Sequence, residues 1–172
     1  MFETERLILR PWTEADADDL YEYARDPQVG PRAGWPPHEN IEESRSVLRG
    51  VLMRPETYAI VLKETGRAIG SVGVHARQET ESEPEIGYWS GVPYWGKGYV
   101  PEAVREILRH CFEDLGCTAL WCGYYAGNDQ SRRVQEKCGF RPHHFVPKQV
   151  TTMGDYRDTY YSCLTKTEWM EG

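Results

Sequence analysis

Two glycines separated by one residue, Gly96 and Gly98, lie between a segment typical of a strand and a segment typical of an amphipathic helix. Glycine tolerates tight turns and lets a ligand approach the backbone closely. The first amides of a helix have no partner inside it, and the helix dipole adds partial positive charge there. The turn therefore predicts an anion site that suits pyrophosphate. A tight strand-to-helix turn without a ligand is the alternative interpretation.

The spacing around this turn excludes two common phosphate-binding motifs. The phosphate-binding loop of nucleotide triphosphatases requires G-x-x-x-x-G-K followed by Ser or Thr, whereas Gly98 follows Gly96-Lys97 here. A dinucleotide fingerprint requires a third glycine at position 101, which is Pro101. Pro101 has no backbone N–H, and this costs little in a first helical turn.

The composition also limits the possible functions. The 172 residues include 20 Lys and Arg against 27 Asp and Glu, for a formal net charge of −7. Nonspecific nucleic-acid binding needs cations that displace counterions, so an acidic chain is a poor candidate for it. The five cysteines form no C-x-x-C pair, which is typical of free thiols in a reducing compartment. His143 and His144 would point to opposite faces of a strand, so we predict no metal site.

The length predicts one domain over residues 1–172. The sequence has no run of 18 apolar residues and no signal-peptide pattern at its charged N-terminus, so we expect no membrane span and a cytoplasmic location. The sequence does not decide between a monomer and a homodimer.

Hydrophobic periodicity predicts an α/β protein (α+β) with a mixed sheet and the element order β-α-α-β-β-β-α-β-α-β-β. The predicted strands are 7–10, 58–63, 68–74, 86–90, 119–125, 140–150 and 158–164. Residues 30–38 and the acidic stretch 79–85 are predicted loops. The clearest helix follows Gly98 and ends at Gly116, with one apolar stripe made of Val104, Ile107, Leu108, Cys111, Phe112 and Leu115.

Several segments between residues 3 and 167 together carry a family pattern. They are 3–11 (ETERLILRP), 86–89 (IGYW), 94–99 (YWGKGY), Glu102-Ala103, 128–131 (NDQS) and 136–140 (EKCGF). The pattern resembles the GNAT N-acetyltransferase superfamily, and more closely its RimJ/RimL-type branch, which includes enzymes that acetylate the N-termini of ribosomal proteins. Residues 93–98 resemble its motif Q/R-x-x-G-x-G/A, with Pro93 in the first position as in this branch.

The resemblance implies acetyl-CoA as cosubstrate and a primary amine as acceptor. In the family geometry, the backbone amides at the glycine turn hold the pyrophosphate; here these belong to Trp95, Gly96, Lys97, Gly98, Tyr99 and Val100. Lys97 either adds a cation to the phosphate or is a solvated lysine. Asn128 either caps its helix, contacts the pantetheine arm, or does both.

The resemblance further implies catalytic roles. Glu85 is the candidate general base, although with Glu79, Glu81 and Glu83 it could simply form a solvated loop. A backbone N–H of Gly87 or Tyr88, next to a bulge, would stabilise the oxyanion where this strand diverges from the next.

Departures from the family pattern affect the general acid and the acceptor side. Many members carry a Tyr seven residues after the Asn, but this position is Gln135, so Ser131 is the candidate donor to the sulfur. A first-turn serine of a capped helix is the alternative for Ser131. Trp35 is either a wall of the acceptor pocket or a core residue. The cysteines are expected to be buried packing residues and not nucleophiles.

We therefore expect an N-acetyltransferase in which the amine attacks acetyl-CoA directly in a ternary complex. A protein N-terminus, a polyamine, an aminoglycoside-like antibiotic and an amino acid all remain possible acceptors. The alternative is a non-catalytic acetyl-CoA-binding or protein-interaction module on the same fold.

Overall fold

The structure is a computed structural model that describes residues 1–77 and 82–172. Its strands are Phe2–Glu3 (β1), Leu7–Pro11 (β2), Thr57–Leu62 (β3), Ala68–His75 (β4), Glu85–Ser90 (β5), Ala119–Tyr125 (β6), Arg141–Val150 (β7) and Tyr156–Thr165 (β8). Its α-helices are Ala17–Ala24 (α1), Gly30–Ala33 (α2), Ile41–Val47 (α3), Tyr99–Arg109 (α4), Asp129–Lys137 (α5) and Lys166–Glu171 (α6). One wider turn extends each of α3 and α4, at Leu48–Leu52 and His110–Asp114.

The strands form one sheet in the order β1-β2-β3-β4-β5-β6-β8-β7. Neighbouring strands run antiparallel, except that β5 and β6 are parallel. Apolar side chains of α4 and α5, such as Ile107 and Val134, pack on one face of the sheet. Those of α1 and of the wider turn that extends α3, such as Leu20 and Leu48, pack on the other face. The predicted mixed α/β fold is confirmed.

Local capping signals place the helices where the sequence predicts them. The Thr13 backbone N–H donates to the Asp16 carboxylate at 2.9 Å ahead of α1. The Asn40 side chain accepts from the Glu43 N–H at 2.9 Å at the start of α3. These bonds satisfy amides that a helix leaves unpaired at its beginning.

Two expectations about local structure are wrong, and two elements are additional to the predicted ones. Residues 30–38 were predicted to be a loop, but the segment begins with α2, which Pro31 can enter in its first turn and Gly34 ends at φ +88°. Leu115 was expected on the buried stripe but is 47% exposed, because the wider turn at His110–Asp114 shifts the helical register. Strand β1 and helix α6 were not predicted. The predicted acidic loop 79–85 lies partly outside the described residues.

The adjacent histidines of β7 do not point to opposite faces. The register of β7 with β8 shifts between Pro142 and His144, so a bulge breaks the alternation. The His143 and His144 rings both pack edge-on against Trp121, with centroids 4.6 and 5.7 Å away. Among the described residues, no helix is both long and apolar enough to cross a membrane.

Candidate active site

Strands β5 and β6 separate soon after they meet. Glu85 and Trp121 form their one register pair within the described chain. Next to this pair, the Trp121 N–H donates to the Pro84 carbonyl at 3.0 Å. Further along, the Ile86 carbonyl accepts from the Cys122 thiol at 3.4 Å. The strands thus open a gap in the middle of the sheet, and the divergence implied by the family resemblance is confirmed.

The Tyr88 backbone faces this gap. Peptide groups of alternate residues in a strand point to opposite neighbours. Because the carbonyls of Pro84 and Ile86 face β6, the N–H of Tyr88 does so too, whereas that of Gly87 faces β4. The expected bulge is wrong for this strand. The described register of β5 with β4 is unbroken from Glu85 to Ser90, and the departure of β6 alone opens the gap.

The glycine turn ends at the N-terminus of α4 with a row of unused amides. Gly96 and Gly98 have φ values of +73° and +81°, which only glycine adopts readily. Within the described residues, the backbone amides from Gly96 to Val100 donate to no acceptor of the chain. The Trp95 amide, expected to be part of this group, donates to the Val92 carbonyl at 3.1 Å instead. Five consecutive amides therefore remain for an anion at the positive end of α4.

Side chains from distant segments hold this turn in place. Arg6 donates to the Lys97 carbonyl at 2.9 Å and to the Glu102 carboxylate at 2.7 Å. Glu102 also accepts from the Thr4 hydroxyl at 2.5 Å. Burial raises the pKa of Glu102, but the hydrogen bonds from Thr4 and Arg6 outweigh this and lower the pKa below its ordinary value. The Trp95 indole donates to the Ser90 carbonyl at 2.9 Å.

The basic side chains that line the cavity do not include the expected Lys97. The Lys97 side chain is exposed and does not line the central cavity. Arg32, Arg133 and Lys137 do line it, and the Arg32 guanidinium lies 4.9 Å from the centre of the Trp95 ring. Sequence reasoning missed these three residues, because only the packing of α2 and α5 brings them to the cavity.

A pair of hydroxyl groups bridges β5 and α5 at the gap. The Tyr88 hydroxyl lies 2.9 Å from the Ser131 hydroxyl and 3.1 Å from the Ser131 carbonyl oxygen. Burial raises the pKa of Tyr88 well above its ordinary value, so its phenol stays protonated and remains a hydrogen-bond donor. The role expected for Tyr88 involved only its backbone, and the sequence did not indicate this side-chain pair.

The residues flanking Ser131 have structural partners. Asn128 caps α5, because its side chain accepts from the Ser131 N–H at 3.2 Å, and its amide donates to the Arg32 carbonyl at 3.3 Å. Gln135, in the place of the usual tyrosine, is buried, donates to the Gly123 carbonyl at 3.1 Å and accepts from Ser162 at 2.6 Å. Gln135 therefore connects β6 and β8 to α5 and does not supply an acid.

A cavity of about 1280 Å³ connects the glycine turn to the opposite face of the sheet. There it is lined by Glu85 and Trp35, together with Trp89, which packs edge-on against Trp35 at 5.7 Å. Burial raises the pKa of Glu85, and the nearby Arg77 offsets part of this effect. We call this part the acceptor chamber and define it by His75, Glu85, Trp35, Trp89 and Tyr125.

Helix α2 covers one side of the acceptor chamber. The carbonyls of Pro31 and Gly34 accept hydrogen bonds from Arg157 and Thr152, which tie α2 to the β7–β8 hairpin. Gly34 leaves space for the Tyr125 ring, since a methyl group there would lie 2.9 Å from the Tyr125 hydroxyl. The chamber is thus bounded by aromatic rings, with a carboxylate at its base. This arrangement suits an organic cation.

Residues 6–141 match the acetyltransferase (GNAT) domain family. The chain belongs to the GNAT acetyltransferase family. It is therefore an acyltransferase of the kind that uses acetyl-CoA, and the family resemblance read from the sequence is confirmed. The open gap, the free amides at α4 and the mixed sheet are this GNAT chain's version of the family architecture.

One sequence relative agrees with this family assignment, and two solved structures share the fold. An uncharacterized N-acetyltransferase, p20 of Bacillus licheniformis, is 27% identical over 171 residues and covers 96% of each chain. A GNAT-family acetyltransferase structure from Bacillus anthracis superposes with a TM-score of 0.87 at 23% identity, covering 96% of this chain and 98% of the other. A ribosomal-protein-S5-alanine acetyltransferase of Vibrio fischeri superposes with a TM-score of 0.78 at 20% identity, with 98% and 97% covered.

Proposed function

We propose that the protein transfers the acetyl group of acetyl-CoA to a primary amine by direct attack in a ternary complex. The single observation that carries the proposal is the gap between β5 and β6. It connects five unused amides at the start of α4 with a chamber that contains a carboxylate. A cosubstrate entering from one face could meet an acceptor entering from the other.

The α4 side suits the anionic end of acetyl-CoA. The amides of Gly96, Lys97, Gly98, Tyr99 and Val100 would receive the pyrophosphate, and Trp95 would shape the turn beneath it. Arg133 and Lys137, which line the same part of the cavity, would add positive charge. The pantetheine arm would then run through the gap past Asn128 and Ser131 toward Glu85.

The residues at the gap can perform the three tasks that acetyl transfer requires. Glu85 accepts the proton of the acceptor ammonium, directly or through an intervening group. The Tyr88 amide donates to the oxyanion that forms when the amine nitrogen attacks the thioester carbonyl. The hydroxyl of Ser131, held by Tyr88, donates to the departing sulfur. That assistance is modest, because a thiol has an ordinary pKa of about 8.5.

The acceptor is a protein N-terminus or a small cationic amine. The aromatic walls and the carboxylate of the acceptor chamber favour a cation but do not choose between these two. The similarity to the Vibrio fischeri enzyme is one of fold and leaves the choice open. Trp35 and Glu85 would contact the amine-bearing group. We expect the protein to act in the cytoplasm, as one domain, in a monomer or homodimer.

Thermal unfolding tests the cosubstrate half of the proposal. A ligand that binds only the native state adds about 2.7 kcal/mol at a concentration 100 times its dissociation constant. For a chain of this size, acetyl-CoA should therefore raise the melting temperature by about 5–10 °C. CoA release should then follow with at least one of spermidine, kanamycin, lysine and a peptide with a free N-terminal serine. No shift and no release would contradict the proposal.

A further inference from the structure

His75, at the end of β4, opens onto the acceptor chamber, and none of the catalytic roles proposed above uses it. It is the register partner of Glu85 on β5. Side chains of directly paired residues in antiparallel strands lie on the same face of the sheet, within about 5 Å at their Cβ atoms. His75 and Glu85 therefore enter the chamber side by side.

Gly87 makes room for the His75 ring. A methyl group built on Gly87 would lie 3.2 Å from Nε2 of His75 and 3.4 Å from its Cε1. The imidazole thus covers Gly87, one step along β5 from Glu85 toward the open end of the gap. The next residue is Tyr88, whose amide faces the gap. Measured along β5, Nε2 of His75 is therefore closer than Glu85 to the Tyr88 amide, which is the proposed oxyanion donor.

Desolvation favours a neutral His75 ring that can accept a proton. Partial desolvation at the edge of the cavity lowers the pKa of His75 below its ordinary value of 6.5, so the neutral form of its imidazole predominates at pH 7. The charged side chains that line the same cavity are Glu85 on β5 and, at the α3 side, Glu43 and Arg54, and Arg77 beyond β4 lies near Glu85. Glu85 is the partner that can balance a proton gained by the ring.

We propose that His75 is a catalytic base of the reaction: its imidazole takes the proton of the acceptor ammonium, and the adjacent Glu85 carboxylate stabilises the resulting imidazolium. The inference rests on the proposed function and names the intervening group between the amine and Glu85. Nothing in the sequence indicates this role, because His75 stands in no motif and reaches the site only through the pairing of β4 with β5.

Two protons leave the amine nitrogen in the proposed step, one through His75 and one to the thiolate. An N–H bond of the ammonium breaks, its electron pair stays on nitrogen, and the proton binds to Nε2 of His75, whose Nδ1 carries the other ring proton. The nitrogen lone pair forms the C–N bond to the thioester carbonyl, and the C–S bond then breaks with its electrons going to sulfur. A second amine proton passes to the CoA thiolate, and the first returns from His75 to solvent.

The test compares His75→Ala with His144→Ala, which removes an exposed histidine from the β7–β8 hairpin. Both are assayed against the same four amines, with free imidazole absent or present. A general base contributes about 10²–10⁴-fold, so His75→Ala should lose at least about 100-fold in kcat/KM at pH 7. Free imidazole should restore part of this loss, because it fits the space above Gly87. The acetyl-CoA melting shift should not change.

The deficit of His75→Ala should also shrink as the pH approaches the pKa of the amine, because more acceptor then arrives deprotonated. His75→Gln, which keeps the volume of the side chain, should show the same loss without rescue. A wild-type rate in His75→Ala and His75→Gln would overturn the assignment of His75. A loss in His75→Ala that neither imidazole nor pH alters would overturn it too. An inactive wild-type protein would overturn the proposed function, and this inference with it.

Discussion

The Tyr88 hydroxyl lies 2.9 Å from the Ser131 hydroxyl and joins β5 to the first turn of α5 at the edge of the gap. Cys122 lies behind the pair, with its thiol 3.9 Å from the Tyr88 oxygen. The phenol is buried and stays protonated, so its donor is directed to Ser131. Ser131 can then donate its own proton toward a sulfur in the gap. The pair supplies a hydrogen-bond donor on the side where the usual tyrosine is absent.

Ser131→Ala and Tyr88→Phe should each lower kcat without changing the KM for acetyl-CoA. One net hydrogen bond contributes about 0.5–1.5 kcal/mol, which corresponds to a loss of about 2–10-fold. Because the two hydroxyls act as a unit, the double variant should be little slower than the slower single variant. Steady-state kinetics of the three variants measures this coupling. If the fold-loss in the double variant equals the product of the two single losses, the two residues act independently.

Gly96→Ala should weaken the binding of acetyl-CoA. Gly66 provides a matched control in the β3–β4 hairpin, because both glycines have φ +73° and no protein atom within 4 Å of an added methyl group. Each substitution strains a left-handed residue by about 1–2 kcal/mol and should lower stability equally. Calorimetric titration should show a dissociation constant for acetyl-CoA that is at least tenfold larger in Gly96→Ala and unchanged in Gly66→Ala. Equal affinities would mean that the glycine turn does not hold the cosubstrate.

Local signals in the sequence identified most of this architecture. Asn128 and Gly116 mark helix ends, and the glycine turn stands out because its two glycines interrupt a strand-to-helix transition. These features depend on a few neighbouring residues, whose conformational preferences act in any context.

The features that the sequence did not predict depend on tertiary contacts. The His75 ring above Gly87 and the Tyr88–Ser131 pair join segments that are distant in sequence. The bulge at His143 follows from how β7 pairs with β8. Lys97 was a reasonable candidate for a phosphate contact, but the hydrogen bond from Arg6 to its carbonyl fixes the backbone, and its side chain lies outside the cavity.

Glu85→Gln should lower activity while it leaves the protein equally or more stable at neutral pH. Burial raises the pKa of Glu85, so its ionised form destabilises the fold as the pH rises through that pKa. The wild-type rate should increase over the same pH range, because the carboxylate is the active form. Glu83→Gln, at the turn before β5, is the control. A variant with wild-type kcat/KM at every pH would contradict a role for Glu85.

Glu102→Gln should destabilise the chain by about 1–3 kcal/mol, because it replaces a carboxylate that accepts charge-assisted hydrogen bonds from Arg6. The pKa of Glu102 is lowered in the folded state. Its contribution is therefore complete above its ordinary pKa of 4.5 and is lost as the pH falls through the lower folded value. Denaturant unfolding at pH 7 and pH 3 measures this.

Glu106→Gln, one helical turn further along α4, is the control for Glu102→Gln. Glu106 pairs with Arg109 on its own helix and does not touch the glycine turn. If Glu102 positions the turn, only its variant should also weaken acetyl-CoA binding. The same affinity in both variants would limit Glu102 to a stabilising role.

The most direct test of the account is a product balance. The protein is incubated with acetyl-CoA, first alone and then with the best amine of the panel, and mass spectrometry counts acetylated amine, free CoA and acetylated protein. Direct transfer predicts one acetylated amine for each CoA released, no appreciable release without amine, and no acetylated enzyme. Acetyl-CoA that binds but releases no CoA with any amine would contradict catalysis and indicate a binding module. CoA released without acetylated amine would contradict amine transfer.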